Sequence, residues 1–441
     1  MANGAGGDGR RRRRALLLNE NANPFWVSVA LVGWNQAAAL AKVADVHQVT
    51  NVRNRENFLK AGLREGEDFT VLETEAQENA AWGAARLLGA RGGRGWSTIN
   101  AMLVFAYRAF ERKVWERFGD RLRSGEFDLV HRLTPLTPSI PSWIATRCAE
   151  AGVPFVLGPL NGGLPWPRGY TRVRLREREF MGYLRWAYRL VPGYRSTRAH
   201  ASAILVGSRA MHRQIGRPWR DKTVYLPENG IDPALFDRPA EGPVSLPLRV
   251  VFVGRLVPVK CVDILLEAAA PLVRSGQVAI EVIGDGPELP ALKAQAEREG
   301  LRAGVAFPGW VDHRSLKDRL ATAHLFAFPS VRDFGGGAVL EAMASGLPPI
   351  VVDFGGPSEL VTPRTGFAVP MGPRPSLVAG FRSRLEGLVA EPGGLREMGQ
   401  RARQRVFRLF TWDAKAAQTL EVYRWVLGER DRPDFGMPFP D

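Results

Sequence analysis

Three stretches in the second half of the chain gather the residue types that hold a diphosphate. The first is VFVGRLVPVK, residues 251–260. An apolar run ends at Gly254, and Arg255 and Lys260 follow within a short loop. A guanidinium grips phosphate oxygens in a fork and an ammonium acts as a point charge, so two cations at a strand end suit such a group. Two solvated surface cations would leave the same spacing, and both readings stay open here. The second is VIGDGPELPAL, residues 282–292, where Gly284, Gly286 and Pro287 make a tight turn into a helix. By itself that turn says little, because any strand–helix connection uses glycine. The third is PSVRDFGGGAVLEAMASGLPPIVVDFGGPSEL, residues 329–360, in which seven residues separate Asp333 from Glu341. Gly335, Gly336 and Gly337 precede the helix that holds Glu341. Glycines let a ligand come close to the backbone, and a helix N-terminus offers unpaired N–H groups and the positive end of a dipole. One turn into that helix, the Glu341 carboxylate is placed to accept hydrogen bonds from vicinal hydroxyls such as a ribose. The competing reading is a helix-capping Asp333 beside a flexible glycine turn.

The elements that must position these residues are short apolar runs alternating with longer amphipathic stretches. Residues 15–18, 46–52, 69–72, 127–131, 154–157, 203–206 and 223–226 read as strands, with helices over 98–118 and 139–150. Residues 232–248 are linker-like, holding Pro233, Pro239, Gly242, Pro243 and Pro247. The pattern then restarts. Strands are expected at 248–253, 278–283, 305–307, 325–328 and 350–352, and helices at 262–274, 287–299 and 337–344. Strands separated by helices imply parallel sheets. The expectation is α/β: two doubly wound, Rossmann-like domains facing across a cleft, with ligands at the carboxyl ends of strands. The first domain spans 1–235 and is completed by a helix at 412–427, the second spans 246–410, and an irregular Pro-rich tail covers 428–441.

A chain of 441 residues exceeds one ordinary core, and 45% hydrophobic with 24% charged residues is a globular balance. Cys148 and Cys261 lie far apart with no CxxC, which suggests neither a disulfide framework nor a zinc knuckle and fits a reducing compartment. None of the six His fits HExxH. Five arginines precede Ala15–Leu18, but Asn19 and Glu20 end that run short of a signal peptide, and the apolar run 27–34 cannot span a bilayer. The expected location is the cytoplasm, with no cofactor and no metal. The net charge of +15 has its own candidate explanations. An arginine-rich proteome is one, and an anionic partner is the other. Between Arg168 and Arg198, arginines face only Glu177 and Glu179 and are interleaved with Tyr170, Phe180, Tyr183, Trp186 and Tyr188. Such a segment allows a peripheral contact with an anionic membrane face, or is a solvated arginine face over core aromatics.

Taken together and in order, the three stretches resemble the family 4 retaining glycosyltransferases of GT-B fold. That family carries G-R-L-x-P-x-K-G, G-D-G-P and a pair of acids seven residues apart. PENGID at 227–232 is similar to its P-N-G-[IV]-D signature, and FTWDAKAAQTLEVYRWVL at 410–427 to its closing helix. FDLVH at 127–131 and PFVLGPLNGG at 154–163 look like its first-domain strand ends, in a branch with GPLNGG and RDFGGG wording. The resemblance implies a nucleotide-sugar donor, UDP- or GDP-linked, and a glycan, lipid-linked or small-molecule acceptor. Arg255 and Lys260 would hold the diphosphate and Glu341 the ribose. Asp333, with the backbone of 334–337, would contact the transferred sugar, and the base would lie near Gly309, Trp310 and Val311. His131 is a candidate on the acceptor side, with a buried structural histidine as the competing reading.

Three positions depart from the family's pattern. Asp333 stands where Glu is usual, Cys261 where Gly follows the lysine, and Leu133 where many members carry a second His. Readings from other classes are an epimerase or phosphorylase of the same fold, a non-catalytic protein whose positive charge binds membrane or nucleic acid, and a degenerate transferase. The chain contains no recognisable nucleic-acid motif, so nucleic acid is not an expected partner.

Overall fold

The computed structural model describes residues 12–74, 96–177 and 187–441. The first sheet comprises β1 (Arg14–Asn19), β2 (Asp45–Asn51), β3 (Phe69–Leu72), β4 (Leu129–Thr134), β5 (Phe155–Leu160), β6 (Ala203–Val206) and β7 (Thr223–Tyr225). The second comprises β8 (Leu248–Val253), β9 (Val278–Ile283), β10 (Val305–Gly309), β11 (Leu325–Phe328), β12 (Pro349–Asp353) and β13 (Phe367–Pro370). Their orders are β3-β2-β1-β4-β5-β6-β7 and β10-β9-β8-β11-β12-β13. Every pairing is parallel. Parallel sheets carry helices on both faces, and β4, β5 and β6 are accordingly buried along their whole length.

Both sheets reverse direction of growth once. In the first the switch lies between β1 and β4, and in the second between β8 and β11. Such a switch leaves a crevice outside the strand ends, because the two flanking loops run to opposite faces. The first switch is packed by its own polar groups. Asn19 donates to the Gly33 carbonyl and to Gln48, each at 3.0 Å, and accepts from Thr134 at 3.2 Å. The second switch is the one that gathers the cations and carboxylates singled out above.

Several element boundaries differ from the sequence expectation for physical reasons. The helix expected from 139 begins at Ile144, since Pro138 and Pro141 fit only a first turn. The apolar run at 27–34 is the start of a helix, Val29–Val43, against which the return helix Trp412–Val426 packs. β13 is an edge strand of four residues, half of them exposed, too short to announce itself by pattern.

The chain crosses between domains twice, and the crossings are tied together. Ile231 N–H donates to the Phe410 carbonyl at 2.9 Å and Trp412 N–H to the Ile231 carbonyl at 3.2 Å. Thr411 then caps the return helix by accepting from Ala414 N–H at 3.1 Å. The last residues form neither helix nor strand, yet they are anchored. Phe439 is buried against Tyr225 and Phe410, with centroids 5.5 and 5.3 Å away, and buried Arg405 donates to the carbonyls of Phe439 and Pro440 at 2.6 Å each. A buried phenylalanine truncated to alanine loses about 3 kcal/mol or more. Phe439→Ala is therefore expected to lower the melting temperature by several degrees, measured by differential scanning calorimetry. An unchanged melting temperature would show that the tail is not docked in solution.

Candidate functional site

The loops leaving β8, β9, β10, β11 and β12 all lie at the carboxyl edge of the second sheet. Because β8 pairs with β11, the loop holding Arg255 and Lys260 stands beside the loop holding Asp333. Lys260 and Asp333 form an ion pair, both side chains mostly shielded from water. The other Asp333 oxygen accepts from Gly336 N–H at 3.0 Å. Burial would raise this carboxyl, but Lys260 and the N–H groups of Gly336 and Gly335 outweigh it and hold it below the usual range. Asp333 thus fastens the glycine loop at Gly336 and pairs with Lys260, but it does not cap the helix that follows. The shorter acid at this position reaches inward to Lys260. The Lys260 ammonium also lies 4.6 Å from the Phe328 ring centroid.

Gly336, at φ 64, opens the helix Gly337–Ala344 without a side-chain cap, so its first N–H groups face the loop. Glu341 projects from this helix. Its carboxyl has no hydrogen-bond or ion-pair partner among the described residues, and burial pushes it up to about 7. Arg255 is exposed and its guanidinium also has no partner among the described residues. The site therefore presents one free guanidinium, one ammonium shared with an acid, a helix N-terminus and one unpartnered carboxyl. That set can hold a diphosphate and accept from hydroxyls.

The glycines serve closeness of backbone as much as ligand approach. A Cβ on Gly284 would strike the Gly254 carbonyl, and one on Gly286 the Leu256 carbonyl. Leu256 N–H donates to the Asp285 carbonyl at 2.9 Å, so the glycine turn after β9 buttresses the loop of Arg255 and Lys260. Gly355 and Gly356 lie likewise against the Asp333–Phe334 backbone. Cys261 adopts φ 49, the left-handed region where glycine is at ease, so a glycine here, as in the motif this stretch resembles, would fit the backbone without strain. Trp310 is 75% exposed at the end of β10, with Val311 half-buried beside it.

His131 does not join this group. It is fully buried, its Nδ1 2.7 Å from the Tyr423 hydroxyl and its Nε2 2.6 Å from the Gly158 carbonyl. Burial, only partly offset by Gly158, lowers it to about 4, so the ring is neutral. Both nitrogens are bonded within the contact of β4, β5 and the return helix, as the structural reading of this histidine expects.

Sequence reasoning missed how the first domain closes on the site. Arg332 donates to the Leu164 carbonyl at 3.0 Å and lies 4.9 Å from the centroids of both Trp166 and Phe334. Tyr170 donates to the Gly372 carbonyl at 3.0 Å, Val259 N–H to Glu177 at 2.9 Å, and Arg176 pairs with Glu288. The segment 164–177 thus straps the two domains together, and its proline, glycine and tryptophan content was the signal available. Arg198 in the same basic region is buried, donating to the Tyr194 and Pro138 carbonyls at 3.0 and 3.1 Å. Arg10, Phe180, Tyr183 and Trp186 lie outside the described residues. Among the described residues no helix is long and apolar enough to cross a membrane.

Residues 247–386 match the family model described as glycosyl transferases group 1. The chain is 30% identical over 197 residues to a glycogen synthase of Mycobacterium tuberculosis, an overlap of 44% of this chain and 47% of that one. It is 34% identical over 185 residues to a D-inositol 3-phosphate glycosyltransferase of Gordonia bronchialis, covering 40% and 39%. The chain spans about half the length of the curated relatives it matches, or less. Over almost the whole molecule it resembles the crystal structure of Anabaena HepE in complex with UDP. The TM-score is 0.61 at 18% identity, covering 93% of this chain and 98% of that one. The fold is GT-B, two Rossmann-like domains with parallel sheets.

Glu341 generates a pH signature. A carboxyl whose folded-state value exceeds its usual 4.5 subtracts stability as it ionises. The loss builds between about pH 4.5 and 7 and is complete above. Glu341→Gln is expected to stabilise the protein by about 1–3 kcal/mol at pH 8, with the gain shrinking as pH falls toward 5. Denaturant midpoints at the two pH values measure this, and equal midpoints for both proteins at pH 8 would contradict it.

Proposed function

We propose that the protein is a glycosyltransferase that moves a sugar from a nucleoside diphosphate donor, UDP- or GDP-linked, to a saccharide, lipid-linked or small-molecule acceptor. The observation that carries this reading is the convergence at the β8/β11 switch of Arg255, the Lys260–Asp333 pair, the N-terminus of helix 337–344 and Glu341, with Arg255 and Glu341 free of side-chain partners among the described residues.

In this reading the diphosphate lies between Arg255, Lys260 and the N–H groups of 336–338. Lys260 then divides its charge between Asp333 and a phosphate oxygen. Glu341 accepts from the ribose hydroxyls, and the exposed Trp310 with Val311 borders the base. Asp333 and the backbone of Phe334 and Gly335 face the transferred sugar. During transfer the bond from the anomeric carbon to the diphosphate oxygen breaks, the oxygen of an acceptor hydroxyl takes its place, and that hydroxyl's proton passes to the leaving diphosphate. The negative charge that grows on the leaving diphosphate meets two cations and a helix dipole, preorganised for it. This arrangement supports leaving-group stabilisation by protein groups. Retention of anomeric configuration and independence from metal are further parts of the proposal, drawn from the resemblance to family 4. The acceptor enters from the first domain, beside the strand ends that carry Asn161 and Gly207.

Arg255→Ala removes the charge-assisted bonds without disturbing the fold, since Arg255 is exposed and free of side-chain partners among the described residues. The expected loss is about 2–3 kcal/mol, roughly 30- to 150-fold in catalytic efficiency or in donor affinity. Isothermal titration with UDP and GDP measures it, and a change under about threefold would remove Arg255 from the clamp.

A further inference from the structure

Glu228 belongs to none of the donor contacts above, yet three parts of the molecule meet on it. It follows β7 in the stretch that leaves the first domain, and it is buried. Its Oε1 accepts from Asn161 Nδ2, at the end of β5, at 2.5 Å, with Asn229 Nδ2 at 3.4 Å. Its Oε2 is enclosed and has no hydrogen-bond partner among the described residues. Two glycines make room for this carboxyl. A Cβ on Gly207, after β6, would run into Oε2, and a Cβ on Gly335 would run into Oε1. Three titratable groups face it: Lys415 of the return helix, Asp333 of the donor loop and Tyr225 of β7. Lys415 is itself buried; its ammonium has no hydrogen-bond partner among the described residues and lies 4.8 and 4.7 Å from the Phe410 and Phe439 ring centroids.

An apolar side chain of equal volume would fill this space without the cost of desolvating a carboxyl. Burial indeed raises Glu228 to about 7 against the pull of its own backbone N–H, Asn161 and Lys415. Stability therefore gives no reason for an acid here. Its position does, because the carboxyl is wedged between the strand ends of the first domain and the backbone of Gly335.

We propose that Glu228 is a positioning residue of the donor site, a wedge that sets the Asp333–Gly335 stretch against the first domain and so fixes where the transferred sugar stands. This rests on the donor-site reading above. The wedge acts through its shape and its bond to Asn161, and it touches the loop at Gly335, ahead of the N–H groups of 336–338 that share the diphosphate with Arg255 and Lys260, so it bears first on the sugar-facing stretch.

The test is calorimetric titration with UDP, UDP-glucose, GDP and GDP-mannose of wild type, Glu228→Gln, Glu228→Ala and Gly207→Ala. The glutamine variant keeps the shape and the acceptor oxygen, and both of its Kd values should stay within about threefold of wild type. In Glu228→Ala and Gly207→Ala the nucleoside diphosphate Kd should again stay within about threefold, while the intact sugar nucleotide weakens at least about tenfold. Should Glu228→Ala fail to fold, Gly207→Ala carries the test, since it crowds Oε2 and displaces the carboxyl without removing it. Equal weakening of diphosphate and sugar nucleotide would make Glu228 a fold residue only and overturn the proposal. So would variants indistinguishable from wild type, or a glutamine variant as impaired as the alanine one. A wild type that binds none of the four nucleotides defeats the donor-site reading itself, and the wedge with it.

Discussion

The ion pair between Lys260 and Asp333 is the interaction on which the site depends. It joins the loop after β8 to the loop after β11 across the switch point, and so converts two strand ends into one binding edge. Without it the Asp333 carboxyl would be buried beside Gly336 with only N–H groups for company, and Lys260 would be free to swing into solvent. With it, Asp333 stays ionised and the loop that follows is held in a single shape. An exposed ion pair contributes little, but one mostly shielded from water and backed by a backbone bond is screened far less.

Around that pair the fold concentrates groups that work against stability. Glu341 and Glu228 are carboxyls pushed up by burial, and neither is fully satisfied. Lys415 is buried and lowered to about 7 by the same cause, its attraction to Glu228 only partly opposing it. Ordinary cores avoid such groups. Their clustering along the line where two domains meet suits a binding cleft, because a polar ligand can satisfy a carboxyl such as that of Glu341. His131 is the instructive contrast. It is equally buried, but both its nitrogens are bonded, and it ties elements together where no ligand enters.

Much of this was legible in the chain itself. The alternation of apolar runs and amphipathic stretches gave two parallel sheets, and the second-half motifs lay on the loops of one sheet edge because chemistry, spacing and glycine placement agreed there. What the residues alone did not reveal depends on packing between distant segments. The glycines of GDGP read as a turn, yet Gly284 and Gly286 are needed where the β9 turn presses on the β8 loop. Asp333 looked like a shortened sugar ligand, and its reach to Lys260 appears only when β8 and β11 pair. Glu228 sat in plain view within PENGID. Nothing local marked it, since its partners come from β5, from the residues after β6 and from the donor loop. Segment 164–177 likewise gains meaning only from its contacts with Val259, Glu288, Arg332 and Gly372.

The most direct test of the account is calorimetric binding of UDP-, GDP-, ADP- and dTDP-sugars, in the presence of EDTA, to the wild type and to Glu341→Ala. The account predicts selective binding of one donor class without metal, weakened by at least about tenfold in the variant, because the ribose loses its acceptor. Binding of no donor, or binding that Glu341→Ala leaves unchanged, would contradict the claim that the edge at β8 and β11 is a nucleotide-sugar site.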